Sequence, residues 1–291
     1  MSDLPPEDTT PEPSASSSPP TAQLETLTDE ELAVLSVADT VPVTPHLSEI
    51  PPRERRPLIQ TAYRGLVARG IITPPTAQAR ARARAAVEEA QERPGADAAA
   101  DPVGVEVEIR EDVASTVALR EGARVVVAAA RTAATQQDYL YVHLVEDVAL
   151  VELVTVDGYH HFSLRHAEDL LDTVLEAVLH PEAAGATGEP VVLPPLEAAD
   201  PTPPLEILER AGEALLRCDL TVLSAEDPHP TMLGLFTSPT GSWLFEARHG
   251  TGDAIHARPV STAALREAVE TLLRTAGGIA AERGPLPGGP R

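Results

Sequence analysis

The chain has 291 residues, 43% of them hydrophobic, and a formal net charge of −23. So acidic a surface repels a phosphate backbone and argues against a nucleic-acid partner, and the single cysteine, Cys218, excludes an internal disulfide and a cysteine-built zinc site. No apolar run approaches the roughly 20 residues of a membrane helix, and the opening MSDLPPEDTTPEPSASSSPP lacks the basic and apolar regions of a signal peptide, so the expected setting is cytoplasmic, without membrane insertion.

Aromatic residues are only 3% of the chain, so its core must be built from Val, Leu and Ala. Residues 1–25 are Pro, Ser, Thr, Asp and Glu with little to bury, and are expected to be disordered. Thr28 followed by Glu31 three places on is a capping box, and Leu32 and Leu35 share one face of the short helix it opens. Pro42 and Pro45 should prevent its extension. A second helix runs from Pro51 or Pro52 to Arg69, with Leu58, Ala62 and Leu66 at helical spacing and Gly70 beyond its end. The pair superficially resembles part of a winged helix-turn-helix. Its charges, however, gather at the helix start in Arg53, Arg55 and Arg56 instead of along a reading face.

Residues 73–102 form an Arg/Ala linker. Val103, Val105, Val107 and Ile109 then alternate as a half-buried strand, and a short helix over 111–121 leads to Gly122. Strands follow at 125–130, 139–146, 148–156 and 159–165, with a hairpin turn at Asp157-Gly158, and then a helix over 167–179. A Pro/Gly-rich connector spans 181–203 and carries a VVL strand at 191–193. A helix over 204–217 follows, with Leu205, Leu208, Ala211 and Leu215 as its stripe. Strands at 220–225, 231–238, 242–249 and 254–260 precede a last helix capped by Ser261, and the chain after Gly277 is a loose tail.

The second set of elements repeats the first. Val125 to Asp157 and Leu220 to Gly252 are equal spacings, so the turns fall at the same distance from each first strand. The strands align at an offset of 95, which sets His161 against His256. The helices align at 94, pairing Leu171, Leu175, Val178 and Leu179 with Leu265, Val269, Leu272 and Leu273, with one residue deleted between. A four-stranded sheet with one helix is marginal alone. The expected fold is therefore α+β: two quasi-repeated β4α halves of antiparallel twisted sheet related by a pseudo-two-fold, with N-terminal helices and a disordered tail. The layout is one domain over 26–276: the helix pair 27–72, the linker 73–102, a first half 103–180, the connector 181–203 and a second half 204–276, with flexible residues 277–291.

Chemistry is sparse. No phosphate-binding glycine loop, HExxH or GxSxG occurs. His160 and His161 are neighbours on a strand and point to opposite faces, so they cannot chelate one metal together. His161 can meet His143 across the sheet, His166 lies near a strand end, and these read as edge or surface histidines. Ser163, His161 and Asp157 are locally available as a triad, but nothing supplies a strained nucleophile or an oxyanion hole. Cys218, at the end of a helix, reads as a small buried residue. No catalytic residue, metal site or cofactor is assigned. Phe162 and Phe245 read as core. Trp243 follows a turn, is expected to be partly exposed, and is the one partner-binding residue the sequence nominates.

The segments LTDEELAVL and RGLVARGI, the phrase VDGYHHFSL before an acidic helix, and TGSWLFEAR with ARPVSTAALREAVETLL resemble the EspG family of type VII (ESX) secretion chaperones over about residues 27–275. The resemblance implies a non-enzymatic cytosolic chaperone that binds a helical PE/PPE-type protein pair and shields its apolar tip for export. The proline-rich acidic tail and the Arg/Ala linker depart from that pattern. Two other readings compete: a DNA-binding regulator using residues 28–72, and an enzyme using His161 or His143.

Overall fold

A computed structural model describes residues 22–36, 41–82, 85, 107–195 and 213–281. Its centre is a ten-stranded antiparallel sheet in the order β1-β7-β6-β5-β4-β9-β10-β11-β12-β8. The first half contributes β4 (Val125–Ala133), β5 (Gln136–Val145), β6 (Val148–Thr155) and β7 (Tyr159–His166); the second contributes β9 (Leu216–Ser224), β10 (Thr231–Ser238), β11 (Gly241–Arg248) and β12 (Ile255–Pro259). The edge strands are β1 (Ala22–Thr28) and β8 (Val191–Leu193). Strands β2 (Ile72–Thr73) and β3 (Glu108–Ile109) form a separate two-stranded sheet.

The halves join where β4 pairs with β9 along the full nine residues of each, with Ala129 opposite Leu220 at the midpoint. A local two-fold through that pair relates the halves. It matches β4 to β9 at an offset of 91 and β6 to β11 at 93, bound for bound. Helices α5 (Leu170–Val178) and α6 (Thr262–Ala281) follow the fourth strands and lie on one face of the sheet. Their buried stripes, Leu170, Val174 and Val178 against Leu265, Val269 and Leu273, match at 95. The offset grows because the second half has longer loops, so no deletion before the helix is needed. These stripes cover Val125, Val127, Leu140, Val142, Leu220, Leu233, Leu235 and Leu244 in the largest apolar cluster. Each fully buried Leu or Val there contributes about 1.5–3 kcal/mol relative to exposure.

The opposite face of the first half carries the N-terminal elements: α1 (Asp29–Leu35), α2 (Pro45–Glu49), α3 (Pro52–Ala68) and α4 (Glu111–Gly122). The capping box forms as expected. Thr28 Oγ1 accepts from the Glu31 amide at 3.3 Å, and Glu31 Oε2 accepts from the Thr28 amide at 3.2 Å. Gly70 ends α3 with φ +69°. Leu27, Leu32, Leu66, Ile71 and Ile72 form a second cluster with Leu150 and Phe162 of the sheet.

Several expectations are corrected. Residues 22–25, placed in the disordered tail, belong to β1, because Leu27 is buried and the backbone pairs with β7. Helix α1 does stop at Leu35, short of Pro42 and Pro45, and Pro45 in addition opens α2, at the position where a missing amide costs nothing. The strand at 103–110 is only Glu108–Ile109 among the described residues; 103–106 lie outside them, as does most of the linker. The helix over 204–217 falls largely outside the described residues, and Leu216 and Arg217 lie in β9, four residues before the expected strand start. The equal spacing from Val125 and Leu220 was therefore measured from unequal points. Cys218 sits within β9, and its thiol pKa is raised by burial. Helix α6 runs through Gly277 to Ala281.

Candidate functional site

The histidines and carboxylates do assemble, but not as the sequence suggested. Glu152 is the one charged residue in the apolar run of β6, and strand alternation turns it, with His143 of β5 and His160 of β7, toward the N-terminal elements. His143 Nε2 lies 2.7 Å from Glu152 Oε2, and His160 Nδ1 lies 2.6 Å from Glu152 Oε1. Arg120 of α4 donates from Nε to both carboxylate oxygens, at 3.1 and 3.0 Å. The other nitrogen of His160 is 2.7 Å from Asp29 Oδ1, at the start of α1, while Asp29 Oδ2 accepts from the Leu47 amide at 2.8 Å.

Burial opposes the charge on His160, but its two carboxylate partners, Asp29 and Glu152, together hold its pKa above the ordinary histidine range. Burial likewise opposes the Glu152 charge, and hydrogen bonds from His143 and His160 with the charge of Arg120 pull its pKa well below the usual carboxylate range. With a carboxylate at each ring nitrogen, His160 is the imidazolium and donates twice. Two cations, Arg120 and His160, then balance two carboxylates.

Asp29, His143, Glu152 and His160 are each 0% exposed. A constellation that resembles a proton relay is thus sealed from any substrate, and it works as a strut between the sheet and the N-terminal elements. Two further bonds reinforce it: the Asp29 amide donates to the Gly158 carbonyl at 3.0 Å, and the Val43 amide donates to the Tyr141 hydroxyl at 3.2 Å.

His161, by contrast, is exposed and meets Thr26 Oγ1 at 3.1 Å, so it does not join His143. Ser163 pairs with Val151 and Gln23 in the ladders, on the face opposite His160 and Phe162, and forms no triad with His161 and Asp157. Among the described residues no cluster of His, Cys, Asp and Glu has metal-holding geometry. The sequence signal for the strut was the lone Glu152 inside VALVELV; the charges that complete it come from farther off, Arg120 at 32 positions from Glu152 and Asp29 at 131 from His160.

In the second half the same sheet face is apolar along β10 and β11, and β9 brings Arg217 opposite Phe236. Phe236 faces Trp243 across β10–β11, Phe245 faces Gly234, and Met232 faces Ala247. The Phe236 and Phe245 rings are 4.7 Å apart, and Trp243 is 6.5 Å from Phe245. Gly234 lets Phe245 lie close: a Cβ there would come within 3.1 Å of Phe245 Cβ and push it back by a few tenths of an ångström. Trp243, expected to be partly exposed, is only 8% exposed and backs the ring cluster, because strand pairing sets it between Phe236 and Pro259. Met232, Phe236 and Phe245 are half-buried, and exposed Asp219 lies among them opposite Gly234, its pKa raised by desolvation. Among the described residues, the principal helix contacts of β9 and β10 are with α5 and α6, on the other face.

Two of the three arginines at the start of α3 are engaged locally. Arg53 pairs with Glu54 at 3.2 Å, and Arg55 turns back onto the carbonyls of Ile50 and Ser48. No described helix is long and apolar enough to cross a membrane.

No protein-family model matches the sequence, and no curated protein does. Among solved structures, the chain is similar to the type VII secretion system chaperone EspG5 of Mycobacterium tuberculosis, determined in complex with the PE25–PPE41 dimer. That likeness has 10% identity and a TM-score of 0.46, and covers 86% of this chain and 96% of that one.

Proposed function

We propose that the protein is a non-enzymatic cytosolic binding protein, a chaperone-like factor for type VII (ESX) secretion that holds a helical PE/PPE-type protein or pair. The observation that carries the docking half of this reading is the apolar sheet face of the second half, where Met232, Phe236 and Phe245 remain half-buried around Asp219. Such a face suits the apolar tip of a helical partner, and desolvating the rings there supplies the association energy. Trp243 would contribute as the base that fixes Phe236 and Phe245, not as a projecting anchor. The secretion half rests on the sequence resemblance of VDGYHHFSL and TGSWLFEAR. The sealed state of the His143–Glu152–His160 group supports the non-enzymatic reading.

The test is co-expression with small helical secreted proteins encoded beside this gene, read by light scattering on the eluted complex. A stoichiometric complex that Phe236→Ser and Phe245→Ser abolish, with the melting temperature nearly unchanged, is the expected result. A bare monomer beside every such protein would overturn the proposal.

A further inference from the structure

A groove of about 770 Å³ is lined by α1 and α3. Its lining includes Ala33 and Val34 of α1 and Pro57, Ile59, Tyr63 and Arg64 of α3. Val34, Ile59 and Tyr63 are half-buried, so the groove is an apolar floor that the described elements leave partly open. Its rim is basic. Arg53, Pro57, Gln60 and Arg64 follow one another at helical spacing along α3, with Arg56 beside them; Arg53 is paired with Glu54, and the Arg64 guanidinium donates to Thr61 Oγ1 at 3.2 Å.

The chain's own first residues complement this rim. Residues 1–21, outside the described ones, carry Asp3, Glu7, Asp8 and Glu12, no lysine or arginine, and the apolar-proline run Leu4-Pro5-Pro6. They are also tethered close by. Arg69, at the end of α3, donates to Glu25 Oε1 at 2.5 Å and to the Thr26 carbonyl at 3.1 Å, so β1 passes the end of that helix. Tyr63 and Arg64 lie about 8 Å back along the helix axis. A tail of this length reaches up to about 70 Å, so the groove is within its range and its local concentration there is high.

We propose that the groove between α1 and α3 is the docking site of residues 1–21, with Leu4-Pro5-Pro6 on the floor at Ile59 and Tyr63 and the carboxylates against Arg56 and Arg64. Proline fixes its backbone dihedral in advance, so a proline-rich run is ordered on an aromatic-floored groove at low entropic cost. The apolar floor alone would accept many sequences. The like-signed surface of the rest of the chain makes the basic rim a favoured resting place for its acidic end. This inference is independent of the docking face on the second half.

The experiment uses the full chain with Ser14→Cys carrying a nitroxide; Cys218, 2% exposed, escapes labelling. Paramagnetic broadening is expected to concentrate on the amides of Ala33, Val34, Tyr63 and Arg64. It should fall about fivefold in Arg56→Glu/Arg64→Glu and similarly in high salt, as surface ion pairs are lost. Broadening spread evenly over the molecule, or centred elsewhere, would overturn the proposal. So would broadening that the double variant leaves unchanged. Transfer of the broadening from a labelled chain to an unlabelled one in a mixed sample would assign the groove to a second copy instead.

Discussion

The two halves of the sheet share one face and have parted on the other. Toward α5 and α6 they bury the same kinds of residue at matched positions. On the opposite face the two-fold equates His143 with Phe236, Glu152 with Phe245 and His160 with Ile255. Where the N-terminal elements seal the face, a charged cluster fixes them in one arrangement. Where the described residues supply no such cover, the same positions are apolar. The lesson is that a duplicated sheet keeps its shared core and diverges where the neighbours differ. A buried charge is tolerated only opposite elements that supply its counter-charges.

The largest expected effect comes from breaking the charged side. Glu152→Ala leaves Arg120 and His160 buried with one carboxylate fewer, and should cost about 4 kcal/mol in urea denaturation. The equivalent change in the second half, Phe245→Ala, removes only part of a half-buried ring and should cost about 1–2 kcal/mol. Equal costs would mean that the halves do not differ as described.

The turn glycines sharpen the contrast. Gly158 has φ +75°, and a Cβ there would lie 2.8 Å from His46 Cβ and 2.9 Å from Asp29 Oδ2. Gly252, at the matching turn, has φ +68° and nothing within 4 Å. Gly158→Ala should therefore cost about 3 kcal/mol and Gly252→Ala about 1 kcal/mol, measured as unfolding free energies.

The pH dependence should also sit in the first half. His160 is held above its unfolded pKa, so the folded state binds that proton more tightly. Its stabilisation is fully present below about pH 6.5 and is lost as pH rises through the folded value. The stability gap between the parent and His160→Gln should shrink accordingly on going from pH 6 to alkaline pH in a urea series. A gap that widens would contradict the charged form of His160. Smallest of all, Phe236→Ser should shift the melting temperature by only a few degrees, about 1 kcal/mol.

Local signals carried far in the sequence. Thr28 and Glu31 specify the capping box, Val191–Leu193 and Thr231–Ser238 form strands at the expected bounds, and Asp157-Gly158 makes its turn. The misreadings have non-local causes. Leu215 ends an apolar stripe of helical period, but the next residue, Leu216, gains ladder partners in both Ala133 and Thr237, and β9 starts there. β1 reads as tail because AQLETLT has a weak pattern of its own and is fixed by β7, over a hundred residues later. His160 reads as a surface histidine because nothing near it in the chain reveals Asp29. The exposure expected of Trp243 failed because a residue next to a turn is still covered when its cross-strand partners are Phe236 and Pro259.

The seam between β4 and β9 sets the order in which a nascent chain can be completed. Until Leu216–Ser224 has emerged, β4 has one neighbour, and a Val/Ala-rich backbone edge faces water. At typical elongation rates that gap of 91 residues lasts about 5–20 s, far longer than a hairpin takes to form. The half-made protein is thus a sheet waiting for its own continuation, and for those seconds the ribosome holds a molecule with the adhesive edge that its finished form has hidden.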